Sequence, residues 1–150
     1  MYHELRAALG FLELGDPDSA WEELELIPPE ERADPVVLRM RVEIYKVKER
    51  WMEMAEIARH LTEIQPEQSD HWISRAWAER RHVGLKTAEL TLLKALEGFP
   101  DESIIHYNLA CYACRQGRIE EAKERLAKAI ELDPNFRELA LEDEDLEGIW

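Results

Sequence analysis

The sequence NLACYACRQGRIEEAKERLAKAIELDPN, residues 108–135, decides the fold of this chain. Its apolar residues recur at intervals of three and four, which is the period of an amphipathic α-helix. Gly117 interrupts the pattern midway and suits a left-handed helix end, and Pro134 stops it, because proline cannot continue the helix that precedes it. The stretch therefore predicts two short helices joined by a tight turn.

The same punctuation recurs along the chain with a period of 34 residues, as the spacing of Pro66, Pro100 and Pro134 shows. Gly15 and Gly117 fall at the same point of their rows when the chain is written in rows of this length. A helix pair of this size cannot bury its apolar face alone, so consecutive pairs must stack on one another. The predicted repeats are residues 1–34, 35–68, 69–102 and 103–136, followed by 137–150.

Four columns of this alignment hold apolar residues in every row, and many of them are alanine. Small side chains at these points let one helix backbone approach the next closely, so we expect the columns to form the core. The columns are Ala8, Val42, Ala76 and Ala110; Ala20, Met54, Ala88 and Ala122; Leu24, Ala58, Leu92 and Leu126; and Ile27, Leu61, Ala95 and Ala129.

Residues 108–112 (NLACY), 117–122 (GRIEEA) and 129–135 (AIELDPN) resemble the tetratricopeptide repeat family, and the earlier rows resemble it less closely toward the start of the chain. The resemblance implies an all-α fold, a right-handed superhelical solenoid of about four helix-turn-helix repeats. Residues 1–150 would then form a single domain, in which 137–150 are a C-terminal capping segment. We expect Leu146, Ile149 and Trp150 to fold back onto the repeats, with contact to a partner as the alternative.

The chain departs from the family pattern at Arg41 and Arg75, where a large aliphatic residue is usual. We expect the stems of these arginines to run along the core and their charged heads to reach solvent. The alternative is that they pair with buried carboxylates.

Charge and composition exclude several classes of function. The 150 residues contain 33 acidic and 19 basic side chains, a net charge of −14 that repels nucleic acid and anionic lipid. No apolar run approaches the roughly 20 residues of a membrane span. The first residues, MYHELR, do not resemble a secretory signal, and two cysteines are too few for a disulfide framework. We therefore expect a cytoplasmic protein with no nucleic-acid or membrane partner.

No motif indicates catalysis or a bound cofactor. Cys111 and Cys114 lie one helical turn apart, and His71 and His106 can be drawn beside them as a metal site. Cysteines in the middle of a helix are more often packing residues, so we expect no metal and no catalytic residue. The four-residue set keeps an enzyme or metal protein open as an alternative.

The first helices line the inner groove in the tetratricopeptide family, so the register predicts the groove of this chain. Six basic and three acidic residues occupy these positions, the reverse of the balance elsewhere. We expect Trp77 and Tyr107 to anchor apolar side chains of a partner while arginines meet its carboxylates. Otherwise the arginines fall here by chance and neighbouring glutamates neutralise them. The predicted site residues are Arg39, Met40, Ile73, Trp77, Arg80, Arg81, Tyr107, Asn108 and Arg115.

The sequence thus predicts a non-enzymatic scaffold for protein–protein interaction, a monomer or weak homodimer, whose groove charge favours an acidic peptide. Two alternatives stay open within this reasoning. One is a cytoplasmic chaperone resembling those of bacterial secretion systems. The other is a structural module that associates with itself through an exposed end.

Overall fold

The structure, a computed structural model, describes residues 2–150. Over this range it has nine α-helices, two 3₁₀ helices and no β-strand, which confirms the all-α prediction. None of the helices in this range combines the length and apolar content that a membrane span needs. The α-helices are α1 (His3–Glu13), α2 (Pro17–Glu25), α3 (Pro35–Val47), α4 (Trp51–Ile64), α5 (Ser69–His82), α6 (Leu85–Gly98), α7 (Ser103–Arg115), α8 (Ile119–Leu132) and α9 (Phe136–Glu142). The 3₁₀ helices are Pro29–Glu31 and Glu144–Ile149.

The helix starts keep the 34-residue period of the sequence. Among the first helices of the repeats, α3, α5 and α7 begin at Pro35, Ser69 and Ser103, each 34 residues after the one before. The second helices α2, α4, α6 and α8 begin at positions 17, 51, 85 and 119, with the same spacing. The helix starts therefore recur with the 34-residue spacing of the prolines.

Aspartate followed by proline starts two of these helices. Asp16 Oδ1 accepts a hydrogen bond from the Ser19 amide at 3.1 Å, and Pro17 is the first helical residue. Asp34 Oδ1 accepts one from the Val36 amide at 3.0 Å, ahead of Pro35. The carboxylate satisfies a backbone donor that has no partner inside the helix, and proline lacks the donor altogether.

The chain forms two compact units, a first that ends at His82 and a second that spans Val83–Trp150. In the first unit α1 packs on α2 and α3, α3 packs on α4, and α4 packs on α5. In the second unit α7 packs on α6, on α8 and on the 3₁₀ helix near the C-terminus. All sixteen positions of the four predicted core columns are buried.

The two arginines inside the core pattern pair with carboxylates, and the expectation that the charged head reaches solvent is wrong for the buried Arg41. Arg41 is buried, and its guanidinium lies 4.3 Å from the centre of the Trp21 ring and 3.6 Å from Glu25 Oε1. Arg75 Nε lies 3.4 Å from Oε2 of the buried Glu79. An acid placed within reach of each arginine makes burial of the charge tolerable.

In the first, second and fourth repeats the turn between the two helices uses a left-handed backbone. Gly15 and Gly117 adopt it with φ of 77° and 83°, and Glu49, which holds the same column in the second row, adopts it with φ of 56°. Glycine enters this region freely, whereas a residue with a Cβ is strained there by about 1–2 kcal/mol. The second repeat therefore carries a local strain that the first and fourth avoid.

We expect Glu49→Gly to raise the free energy of unfolding by up to about 1 kcal/mol, because the strain it relieves exceeds the extra entropy of glycine in the unfolded chain. Gly117→Ala should lower the free energy of unfolding by a similar amount. Urea denaturation followed by circular dichroism measures both. Glu49→Ala removes the charge and keeps the strain, so an equal gain from that variant would show that the backbone is not the cause.

Candidate functional site

An apolar cleft lies between α1 and α3 in the first unit. It encloses about 470 Å³, and Leu9 and Val36 in its lining are 48% and 43% exposed. Met40, a predicted groove residue, lines it and is half-buried. The cleft therefore offers aliphatic surface to a side chain from outside. Its lining is Tyr2, His3, Leu5, Arg6, Leu9, Val36 and Met40.

A polar cleft of about 230 Å³ lies between α3 and α5 in the same unit. Two predicted groove residues, Arg39 and Ile73, are in its lining, and Arg39 Nη2 lies 3.6 Å from Asp70 Oδ2 across the opening. His71 is buried at its base, where it hydrogen-bonds Gln65 Oε1 at 2.8 Å. Burial lowers the pKa of His71, and the charge of Arg39 lowers it further, so the ring is neutral at neutral pH.

A cluster of cations and tryptophans lies one helical turn further along α5. The Trp77 ring is 36% exposed, with Arg81 Cζ 3.9 Å and Lys46 Nζ 4.7 Å from its centre. The Arg81 guanidinium also lies 5.2 Å from the Trp51 ring centre and donates to the Trp77 carbonyl oxygen at 3.0 Å. Cations held on aromatic faces keep their charge while their side chains stay ordered. We call Lys46, Trp51, Trp77 and Arg81 the tryptophan cluster.

The structure thus brings five predicted residues of the first unit to these three surfaces. Arg39, Met40 and Ile73 line the clefts, and Trp77 and Arg81 form the cluster. Arg80 is half-buried on α5 and is engaged in interactions within the protein. Trp51 was not predicted, because it begins a second helix and the register assigns the groove to first helices.

In the second unit the predicted groove residue Tyr107 is buried, unlike Trp77 in the first unit. The Tyr107 ring stacks on Phe136 with centroids 4.6 Å apart. Its hydroxyl donates to Asp143 Oδ2 at 2.7 Å. Burial raises the pKa of Tyr107, and the hydrogen bond to Asp143 adds to the rise, so the phenol is a donor at neutral pH. The expectation that Tyr107 is an exposed anchor for a partner therefore does not match its place in the structure.

The last residues of the chain cover this part of α7. We call residues 143–150 the C-terminal segment, and Tyr107, Cys111, Cys114 and Arg115 the α7 face. Arg115 Nε lies 3.8 Å from Asp145 Oδ1, while Asn108 beside the face is half-buried. Leu146 is fully buried, Ile149 partly so, and Trp150 remains 64% exposed. The predicted fold-back is confirmed for Leu146 and is wrong for Trp150.

The cysteines and histidines do not form the metal set drawn from the sequence. His106 Nε2 hydrogen-bonds the Pro100 carbonyl oxygen at 2.7 Å, and His71 bonds Gln65. Over residues 2–150 the potential ligand cluster is Cys111 with Asp143 and Asp145, whose atoms lie within 4.8 Å of one another. Asp143 contacts Tyr107 and Asp145 contacts Arg115, so these contacts within the chain account for the position of the two carboxylates without a metal ion.

Comparison with known proteins agrees with this architecture. Residues 103–136 match the family model of the tetratricopeptide repeat. No curated protein matches the chain. Among solved structures it is similar to MamA 41-end from Desulfovibrio magneticus RS-1, with a TM-score of 0.73 and 18% identity over 87% of this chain and 74% of that one. It is also similar to the MamA RS-1 ArsTM double mutant, with a TM-score of 0.73 and 16% identity over 97% and 86%.

These likenesses to solved structures show the fold, and the family match identifies its repeating unit. Residues 103–136 are thus a tetratricopeptide repeat, and the resemblance of the chain to that family is confirmed.

Proposed function

We propose that this chain is a non-enzymatic protein-interaction scaffold that holds an acidic peptide, or an acidic segment of a partner, on the faces of its first helices. The repeat match and the fold support a scaffold of this class. The observation that carries the finer proposal is the tryptophan cluster, in which a partly exposed ring and two cations lie together close to the polar cleft. Tryptophan and arginine are the residue types that contribute most at protein interfaces.

Acidic ligands are favoured because Arg39 on α3 is only weakly neutralised. The Arg39–Asp70 pair has side chains that are 54% and 72% exposed, and such pairs contribute about 0–1 kcal/mol. A partner carboxylate can replace Asp70 with little loss. Arg81 lies against the Trp77 ring and donates to a backbone carbonyl oxygen. Guanidinium is the cation whose planar geometry suits a forked bond to a carboxylate.

The apolar cleft adds a second requirement for the ligand. Leu9, Val36 and Met40 present aliphatic surface there, and methionine adapts its shape to different side chains. The ligand that suits the first unit therefore combines carboxylates with at least one bulky apolar residue. A chaperone that holds an unfolded segment would use the same cleft, and it would show little preference for acidic sequences.

We include Asn108 and Arg115 among the proposed binding residues. Arg115 is part of the α7 face, Asn108 lies beside it, and the C-terminal segment covers this face. A cytoplasmic location, the absence of nucleic-acid partners, and a monomer or weak homodimer remain predictions from the sequence.

Self-association is a second candidate, and exposed apolar side chains near the C-terminus favour it. Leu139, Leu141 and Trp150 are 50%, 62% and 64% exposed. Uncovered apolar surface of this kind marks contact sites. Light scattering over a concentration series separates the two functions, since a constant monomer mass would exclude self-association.

We expect acidic peptides to bind better than neutral versions of the same sequences on a peptide array. For the best peptide, Arg39→Glu with Arg81→Glu should weaken binding at least about tenfold, a loss of about 1.4 kcal/mol, and added salt should weaken binding by the wild type. Isothermal titration calorimetry measures both effects. Arg59→Glu is the matched control for one charge reversal, because Arg59 is exposed on the second helix α4. Equal binding by the double variant and the wild type would refute the acidic-ligand proposal.

The tryptophan ring should matter independently of charge. We expect Trp77→Ala to weaken binding of the same peptide by about 1–2 kcal/mol, as truncation of a central aromatic anchor commonly does. Met52→Ala, which removes a 49% exposed side chain from α4, should leave affinity unchanged. Circular dichroism checks that both variants are folded. A Trp77→Ala protein that is folded and binds normally would remove the ring from the site.

A further inference from the structure

The C-terminal segment lies on a face of α7 that the repeat register assigns to partner binding. Its contacts fall on the predicted groove positions Tyr107 and Arg115 and on Cys111 between them, and Gly148 lies beside Cys114. The segment follows α9 and forms a short 3₁₀ helix rather than another repeat helix. The last repeat therefore holds a stretch of its own chain where a ligand would lie.

Each side chain of the α7 face contacts a particular chemical group of the segment. Tyr107 donates its hydroxyl hydrogen to Asp143, and Cys111 Sγ lies 3.8 Å from the same carboxylate oxygen. Arg115 meets Asp145, two residues further on. Leu146 then enters the interior completely. The α7 face thus binds two carboxylates from residues i and i+2 of the segment, and the aliphatic side chain of residue i+3 is buried next to them.

Gly148 adds a steric requirement to this pattern. A Cβ at this position would lie 3.1 Å from Ile119 Cδ1 and 3.2 Å from Cys114 Sγ, closer than ordinary van der Waals contact. The backbone approaches α7 here because glycine has no side chain. The sequence that lies on the face is therefore Asp-x-Asp-Leu-x-Gly, in which x marks the exposed Glu144 and Glu147.

We propose that the α7 face is a binding site for short acidic segments of this pattern, and that residues 143–148 occupy it as an internal ligand. The proposal rests on the scaffold function proposed above and names the ligand of its second unit. A partner that carries the pattern must displace the C-terminal segment before it binds. The attached segment has an effective concentration on the order of millimolar, so an external segment at micromolar concentration competes poorly until the internal contact weakens.

The segment carries features that favour its release. Residues 142–147 contain five carboxylates and no basic residue, so like charges repel one another along it. Arg115 and Asp145 are 55% and 22% exposed at their contact, and added salt or a competing carboxylate weakens a pair of this kind. Release would replace the internal carboxylates with those of the partner at the same donors.

The probe is a fluorescent peptide with the sequence of residues 141–150, LEDEDLEGIW, titrated to millimolar concentration against the full chain. We expect weak binding by the wild type. The double variant Asp145→Lys with Leu146→Ala, which we call the opened variant, weakens the internal contact and should bind the peptide at least tenfold more tightly. A scrambled peptide of the same composition should not bind. Circular dichroism shows whether the opened variant is folded. A folded opened variant that does not distinguish the two peptides would overturn the proposal.

A second variant keeps the test decisive if the opened variant unfolds. Gly148→Cys places a Cβ 3.2 Å from Cys114 Sγ, close to the separation of about 3 Å that a disulfide sets between one Cβ and the opposite sulfur. Oxidation joins the two thiols with loss of two electrons and two protons to an added oxidant such as oxidised glutathione, and dithiothreitol reverses it. We expect the oxidised form to lose binding of the peptide and the reduced form to regain it. Equal binding at millimolar peptide in both forms would contradict displacement.

Charge reversal separates this proposal from the proposed function of the first unit. Arg115→Glu, introduced into the opened variant, should abolish binding of LEDEDLEGIW and leave unchanged the binding of array peptides that depends on Arg39 and Arg81. Arg137→Glu is the matched control, since Arg137 is exposed on α9 in the same unit. If Arg137→Glu weakens binding of the peptide as much as Arg115→Glu does, the attraction is a general effect of charge and the α7 site fails. Failure of the array experiment alone would leave the α7 result standing.

Discussion

Close approach of neighbouring helices at small side chains is the constraint on which the rest of this structure depends. Ala8, Ala76 and Ala110, which share one column in the first, third and fourth repeats, are completely buried, and so are Ala20, Ala88 and Ala122 in a column of the second helices. A larger side chain at these points would separate the backbones and open voids in the interior. Because the contact recurs every 34 residues, each first helix presents the same set of positions to the outside, and these positions can differ in chemistry from repeat to repeat.

The two units differ in the side chains at these outward positions and in whether the same chain neutralises them. In the first unit a basic and aromatic surface remains open on α3 and α5, within a chain that is acidic as a whole. In the second unit the corresponding surface is already matched by carboxylates of the same chain. A net charge of −14 keeps unrelated polyanions away, so a local basic surface can select an acidic partner by geometry as well as by charge.

Much of the fold could be predicted from the sequence, because the period fixes what each position faces. The four core columns and the spacing of the helix starts follow from register. What register omits is the distance between charges on different helices. Arg41 pairs with Glu25 on α2, and this pairing does not follow from the column that holds the arginine. Arg75 pairs with Glu79 four residues further along the same helix, a spacing that the sequence does show. The local propensity of a residue is a weaker guide wherever tertiary contacts decide.

Tyr107 shows the same limit at the candidate site. Its column assigns it to the groove face of α7, whereas in the structure it is buried and bonds to Asp143 near the end of the chain. The final residues of the chain have no counterpart in the earlier rows, so the period does not predict their position. One signal was present in the sequence, since an acidic run follows directly after a repeat whose outward face carries Arg115. Charge complementarity between neighbouring segments is the observation that leads to the correct arrangement.

The position of the C-terminal segment on α7 also decides whether two cysteine side chains can react. Cys111 and Cys114 are buried beneath it, and neither forms a disulfide. Any state in which the segment lifts presents both sulfurs to electrophiles in the surrounding medium. Alkylation or glutathionylation at Cys114 would then fill the space beside Gly148 and prevent the segment from returning, so a passing exposure would become a lasting change of surface.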